Sequence, residues 1–539
     1  MLRRPISLLA FLLTAYPVFP AVYSVVPEPE TASVRVTVAL ESGVADRFRM
    51  PAWAPGDYRI VDFGQHLKDV AFFREGEPVE AVYGPDPNLW TVDGGADSVS
   101  YRVKGVPRGG FSENLRVKAE ETFWNGPAVL GYFEGHKRES HTLNVRLVPE
   151  GARIECALLR IENEDASVSS LNTPRVEGVN RTRRVEGVKD AAVARFSAPD
   201  YDTLIDAPVV MGTTLRVHEF MVRNKPHAVV AFNRPQSVDL EAYAEVCADV
   251  VEQAFLLFGE FPYRRYLFLL DFGGPGGGLE HADCARMGFR PTTSARSASG
   301  LIAHEYFHAF NVKRIRPMAL GPFDYARPAV TGALWWLEGV TEYYGEVSLH
   351  RAGRTTRADF LRSLSGSLQS LRRNSSRLRV SADEASRRVW ETGGSSGFGG
   401  LSYYRKGKLI ALCLDLAIRA ESKGERSLDD VMAALFYECR GGKPGFAEGR
   451  IRELCVQFGG SALGPIYDRS VLETGDLPVE ELLARLGLVW TGRGIQPDRS
   501  ADPQAQRLGQ QWPLAAAPLR DRSVAPSGFK SFTSRRGEG

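Results

Sequence analysis

The spacing of apolar residues changes period near Ser237, and that change restricts the chain to folds with two unlike regions. Before it, Val34-Arg35-Val36-Thr37-Val38 and Leu143-Asn144-Val145-Arg146-Leu147 alternate apolar and polar residues, as half-buried strands do. Turn signals such as Ala54-Pro55-Gly56-Asp57 and Arg108-Gly109-Gly110 separate them. Residues 22–225 therefore read as antiparallel β structure, a sandwich or an open saddle-like sheet. After Ser237 the repeat is helical, over Leu240 to Phe258, Ser299 to Val312, Gly332 to Ala352 and Gly407 to Ala420. A Gly-rich stretch from Gly273 to Gly278 interrupts this half. Beyond about residue 490 periodicity fades into Pro, Arg, Gln and Ser, and residues 490–539 are expected to be a mostly disordered tail.

The 539 residues suit two or three domains. A 43% hydrophobic share supports a large core, and a net charge of +2 gives no reason to expect nucleic acid as a partner. Arg3 and Arg4 followed by the apolar run Ile6 to Leu13, with small residues at Ala15 and Ala21, read as a signal peptide over residues 1–21. Bulky Leu13 and Phe19 fit the cleavage pattern poorly, and an apolar N-terminal strand is the other reading. Export would place the mature protein in the periplasm or outside the cell, with no stable membrane span. The six cysteines form no metal pattern, and no disulfide pairing or oligomeric state follows from the sequence.

The run His304-Glu305-Tyr306-Phe307-His308 carries the chemistry. Helix positions i and i+4 share a face, so both imidazoles can reach one zinc ion. Glu305 lies beside the first ligand, placed to take a proton from an attacking water. Ser297 or Ser299 can cap this helix, and Pro317 prevents its continuation. A catalytic zinc needs a third protein ligand, and Glu338 in Leu334-Trp335-Trp336-Leu337-Glu338 is the best candidate. An acid among such neighbours is expected near a buried face, where it requires a partner. Glu342, one turn later, can orient a ligand histidine or can be a solvated surface acid.

These segments, HEYFHAFNVKRIRP and LWWLEGVTEYY, resemble the glycyl aminopeptidase family of gluzincin metallopeptidases, relatives of aminopeptidase N and thermolysin. Pro51-Ala52-Trp53-Ala54-Pro55-Gly56-Asp57-Tyr58 resembles that family's N-terminal PxWxPGxY segment. Tyr201 to Pro208 resembles the lead into its catalytic domain. Together the matches span roughly residues 25 to 485. The resemblance implies an α+β multidomain chain: an N-terminal antiparallel β domain, then a mainly helical thermolysin-like catalytic domain over residues 226–489. The family commonly adds a C-terminal PDZ domain, and the residues after 489 leave no room for one.

It also implies further site residues. Gly277-Gly278-Leu279-Glu280-His281 is similar to the GxMEN exopeptidase motif, which makes Gly278 and Glu280 substrate-binding, with Glu280 on the free α-amino group. His281 stands where the motif has Asn, and Leu279 where it has Met. Tyr403-Tyr404-Arg405-Lys406-Gly407 resembles a YxKG segment whose tyrosine stabilises the oxyanion. Tyr404 is the match and Tyr403 the competing assignment. The 29 residues between His308 and Glu338 exceed the spacing in aminopeptidase N, and the part from Pro317 to Pro328 is expected to form a loop near the site. The implied activity is hydrolysis of the first peptide bond of peptides with a small N-terminal residue, using one Zn²⁺ per chain. A zinc endopeptidase and a non-catalytic zinc-stabilised peptide-binding protein are the alternatives.

Overall fold

The computed structural model describes residues 20–105, 115–161, 192–233, 238–274, 276–393 and 397–514. The signal-peptide reading of residues 1–21 falls almost wholly outside them, as does the tail from 515 onward.

The first region is β structure. An eight-stranded sheet runs in the order 159–161, 193–198, 141–146, 21–28, 33–40, 98–104, 67–74, 77–79. Its neighbours are antiparallel except for Ala21 to Val25, which pairs in parallel with His141 to Val145. The alternation predicted for Val34, Val36 and Val38 is realised, since all three are fully buried. Two four-stranded sheets complete the region. Phe48 on one of them packs its ring on Tyr101 and Phe72 of the large sheet, at centroid distances of 5.8 and 6.0 Å. One core joins the sheets, and Phe123 and Val210 on the far face of one four-stranded sheet pack instead on Val230 and Phe232 of the region that follows.

The second region begins earlier than the sequence boundary at 225/226. A hairpin of β1 (Arg216–Val222) and β2 (Lys225–Phe232) turns at Arg223 and Asn224, both with positive φ. It opens a five-stranded sheet that continues with β3 (Tyr266–Asp271), β4 (Gly277–Glu280) and β5 (Cys284–Gly288). The spatial order is β1, β2, β3, β5, β4, so β4 is an edge strand. Helix α1 (Leu240–Phe258) makes the crossover between parallel β2 and β3, with Asp239 capping its start. Helices α2 (Ala295–Phe307), α3 (Thr341–Arg351) and α4 (Tyr403–Glu421) form the body above the sheet, and Leu409 to Ile418 of α4 is almost wholly apolar and buried. Among the described residues no helix is long and apolar enough to cross a membrane. The six cysteines are buried and unbridged.

The tail reading is corrected over residues 490–514. A short hairpin joins Leu488–Trp490 to Ile495–Pro497, and α5 (Pro503–Gln511) follows. Trp512 is fully buried, and its indole N–H donates to Asp415 Oδ2 at 3.0 Å. Arg351 and Arg419 donate to the carbonyls of Pro513 and Leu514. One aromatic anchor and three arginines, Arg357 reaching the Gly509 and Trp512 carbonyls, hold a segment whose own composition is polar, which is why local composition misread it. Trp512→Ala is expected to lower unfolding stability by about 3–5 kcal/mol, chiefly the cost of a large buried cavity, since Asp415 keeps its bonds from Tyr343, Arg419 and Leu428. A urea melt measures this, and an unchanged midpoint would return the segment to a disordered tail.

Candidate metal centre

Helix α2 starts at Ser294, whose hydroxyl accepts from the Ser297 N–H at 3.2 Å. The cap is thus earlier than Ser297 or Ser299, because Ser294 takes the extended backbone and the serines after it are already helical. The helix also ends earlier than Val312. After Phe307 the chain bends so that Asn311 turns inward, its amide donating to Trp336 O (3.0 Å), Leu337 O (3.3 Å) and Thr341 Oγ1 (3.0 Å). Its carbonyl meets His308 Nδ1 at 2.8 Å. A continued helix would point Asn311 elsewhere.

That bend orients the histidines. A carbonyl only accepts, so His308 Nδ1 carries the proton and Nε2 presents a lone pair. His304 Nδ1 faces Glu342 Oε2 at 3.1 Å with the same consequence. The two Nε2 atoms lie 3.1 Å apart, and Glu338 Oε2 is 3.6 Å from one and 3.2 Å from the other. Three acceptors therefore converge on one buried point, an arrangement that calls for a cation. Two imidazole nitrogens and one carboxylate form a donor set that suits zinc.

Glu338 reaches this point on a π-helical turn, Trp335–Val340, that runs directly into α3. Trp335 and Trp336 are fully buried beside it. At Gly339 the turn crosses α4 at Gly407 with backbone against backbone. A Cβ on Gly339 would overlap the Gly407 main chain, and one on Gly407 would overlap the Trp335 carbonyl. Only glycine at both positions permits this approach.

Glu305 and Glu280 add two more buried carboxylates, each 5% exposed. Their ligand oxygens and a His308 nitrogen lie within 4.8 Å of one another. Glu305 Oε2 and Glu280 Oε1 are buried without a hydrogen-bond partner among the described residues. Burial pushes the Glu305 carboxyl up to about 7, against the opposing pull of His304 and His308. Burial acts the same way on Glu338, but there His308 and His304 win and hold it below the usual carboxylate range.

Gly278 on β4 lies flush against Glu305, since a side chain there would overlap the Glu305 carboxyl group. His281 turns away from this cluster. Its Nδ1 meets Asp206 Oδ1 at 3.1 Å, and the Ala282 N–H donates to Asp206 Oδ2 at 2.7 Å. It braces the β4–β5 turn against the Tyr201-to-Pro208 segment. Tyr404 stacks its ring over His304 at 6.1 Å, and Tyr403 stacks on Tyr404 at 5.0 Å. Tyr404 is thus the one of the pair in ring contact with a histidine of the centre. Every site residue read from the sequence is in this one neighbourhood. Sequence reasoning missed Asn311 and the Gly339–Gly407 crossing.

Comparisons with known proteins bear on the family and the fold. The Peptidase M61 N-terminal domain profile matches residues 23–213, and the M61 glycyl aminopeptidase profile matches residues 297–410. No curated protein matches the chain. Among solved structures, an aminopeptidase N family protein from Idiomarina loihiensis superposes with a TM-score of 0.76 at 23% identity, covering 87% of this chain and 78% of that one. An M1 zinc metallopeptidase from Deinococcus radiodurans, in a mutant form bound to a Tyr-Ser-Ala substrate, gives 0.51 at 13% identity, with 86% and 95% covered. Yeast LTA4 hydrolase gives 0.53 at 12%, with 87% and 71% covered. These likenesses establish the fold: an N-terminal sheet domain followed by a helical domain. The two profiles together cover more than half of the chain, which belongs to the M61 glycyl aminopeptidase family of peptidases.

Proposed function

We propose that the chain is a zinc-dependent aminopeptidase that removes small first residues, glycine or alanine, from peptides. The observation that carries this reading is the meeting of two sets of groups in one buried cluster. One is the acceptor set of His304, His308 and Glu338. The other is a pair of carboxylates, Glu305 and Glu280, each with an oxygen that no protein group satisfies. The first set suits a zinc ion, which would supply Lewis-acid polarisation of the scissile carbonyl and acidify a water.

The remaining roles belong to the chain itself. A carboxyl raised to about 7 is poised to accept a proton from water and deliver it to the leaving amine, and this is the role of Glu305. Glu280 accepts the substrate ammonium, which fixes register so that only the first peptide bond reaches the centre. β4 is an edge strand, so Gly278 can offer its backbone to an extended peptide. The Tyr404 hydroxyl donates to the developing oxyanion. The preference for glycine or alanine rests on family membership.

Two experiments test this reading. Purified protein is expected to hold one zinc per chain, and chelation to abolish hydrolysis of glycyl and alanyl p-nitroanilides until zinc is restored. Glu305→Gln is expected to keep the metal yet lose about 10²–10⁴-fold in kcat. Unchanged kcat in that variant, or protein that carries no stoichiometric metal, removes the mechanism. Separately, Glu280→Ala is expected to lower kcat/KM on free-amine substrates by about 10–100-fold, the value of a charge-assisted contact. Equal hydrolysis of N-acetylated and free peptides by the unaltered protein would favour an endopeptidase instead.

A further inference from the structure

The amino-terminal domain reaches into this cluster through the turn at Pro51 to Tyr58. Gly56 sits there with φ near +90°. A Cβ on Gly56 would lie 2.9 Å from both carboxylate oxygens of Glu280 and 2.7 Å from Leu279 Cδ1. The bare backbone of one domain therefore rests on the carboxylate of the other. Tyr58, two residues on, is buried and packs edge-on against Trp390 at 5.9 Å.

The turn is clamped from behind by the extra stretch that precedes Glu338. The Ala52 N–H donates to Tyr325 O at 2.8 Å, and Trp53 Nε1 donates to Asp324 O at 3.0 Å. The fully buried Trp53 ring contacts Phe323 at 5.7 Å and Trp390 at 5.2 Å. The stretch is itself tied to the amino-terminal domain, through Tyr325 OH to Asp202 Oδ1 at 2.7 Å and Lys137 Nζ to Phe323 O at 2.6 Å. A loop of this kind has a structural purpose: it fixes the height of the turn above Glu280.

We propose that Gly56 is a positioning residue for Glu280, and that residues 317–328 are the buttress that presses it there. The inference rests on the reading of Glu280 as the ammonium anchor. A carboxylate on a stem with three rotatable bonds would otherwise hold an ammonium in several registers. The Gly56 main chain, close enough that an added methyl would meet both oxygens, narrows the positions open to the carboxylate, and with them the place of the α-amino nitrogen relative to the scissile bond.

The test is a double-mutant cycle on the zinc-loaded enzyme with glycyl p-nitroanilide. In Gly56→Ala the new methyl displaces the carboxylate, so KM is expected to rise about tenfold with kcat within about twofold and zinc content unchanged. Glu280→Asp withdraws the carboxylate by one methylene and also raises KM. In the double variant the shorter acid relieves the methyl's overlap with the carboxylate and leaves that with Leu279, so the two effects are expected to fall short of additive by at least about threefold, as for residues in contact. A general loss of stability would not produce that rescue. Trp53→Phe removes the bond to Asp324 and trims the indole to a phenyl that still occupies most of its place beside Phe323 and Trp390, so it decides the matter should Gly56→Ala fail to fold. It is expected to raise KM about threefold, the value of one modest hydrogen bond. Wild-type KM in Trp53→Phe and Gly56→Ala, or a cycle that closes additively, overturns the inference while the aminopeptidase reading stands. A Glu280→Ala enzyme with wild-type KM overturns both.

Discussion

Glu338 is 2% exposed, and it shares its pocket with two imidazoles whose outer nitrogens are already committed. Asn311 O and Glu342 hold those outer nitrogens, so the inner lone pairs have nowhere to point but at the Glu338 carboxylate. Glu305 and Glu280 bring two more acceptors close to the same point. Proteins do not ordinarily collect buried acceptors without donors, since each one loses its water. A cation at the centre relieves the two imidazoles and Glu338 at once, and leaves Glu305 and Glu280 free to meet water and substrate. Loading of the metal and consolidation of this part of the fold are therefore expected to be coupled.

The same demand explains how the two domains meet. The centre lies where α2, the π-helical turn before α3, the start of α4 and the edge strand β4 converge. None of these comes from the amino-terminal region, yet that region supplies the turn over Glu280 and the brace at Asp206. Asp206 is held well below the usual carboxylate range by Lys313 and His281, although burial opposes it. The β domain is thus part of the site's frame, and its sheets are the rigid mount for a single short turn.

What the sequence revealed follows from how local each signal is. His304, Glu305 and His308 sit within one helical turn, and Glu338 betrayed itself as an acid among tryptophans, so spacing and burial logic reached them. Glu280, Gly278 and Tyr404 have no such local signature and were legible only through resemblance. Asn311 looked like one more polar residue in a helical pattern, because its role depends on carbonyls 25 and 26 residues away. The boundary read at 225/226 falls inside the hairpin from Arg216, because strand alternation does not say which sheet a strand joins. Residues 503–511 were read as tail because their stability comes from Trp512 and distant arginines and not from their own apolar content.

The Gly339–Gly407 crossing bears on how this enzyme can vary. Where two helices meet through side chains, a change of volume on one shifts the other, and any ligand they carry shifts with it. Here the elements that carry Glu338 and Tyr404 touch through main-chain atoms. Their separation is set by the van der Waals approach of two main chains, which carries no side-chain volume for a mutation at either position to reduce. The surrounding core is then free to drift in composition over evolutionary time while the span between carboxylate and phenol stays constant, so that two glycines act as the ruler against which the rest of the domain is built.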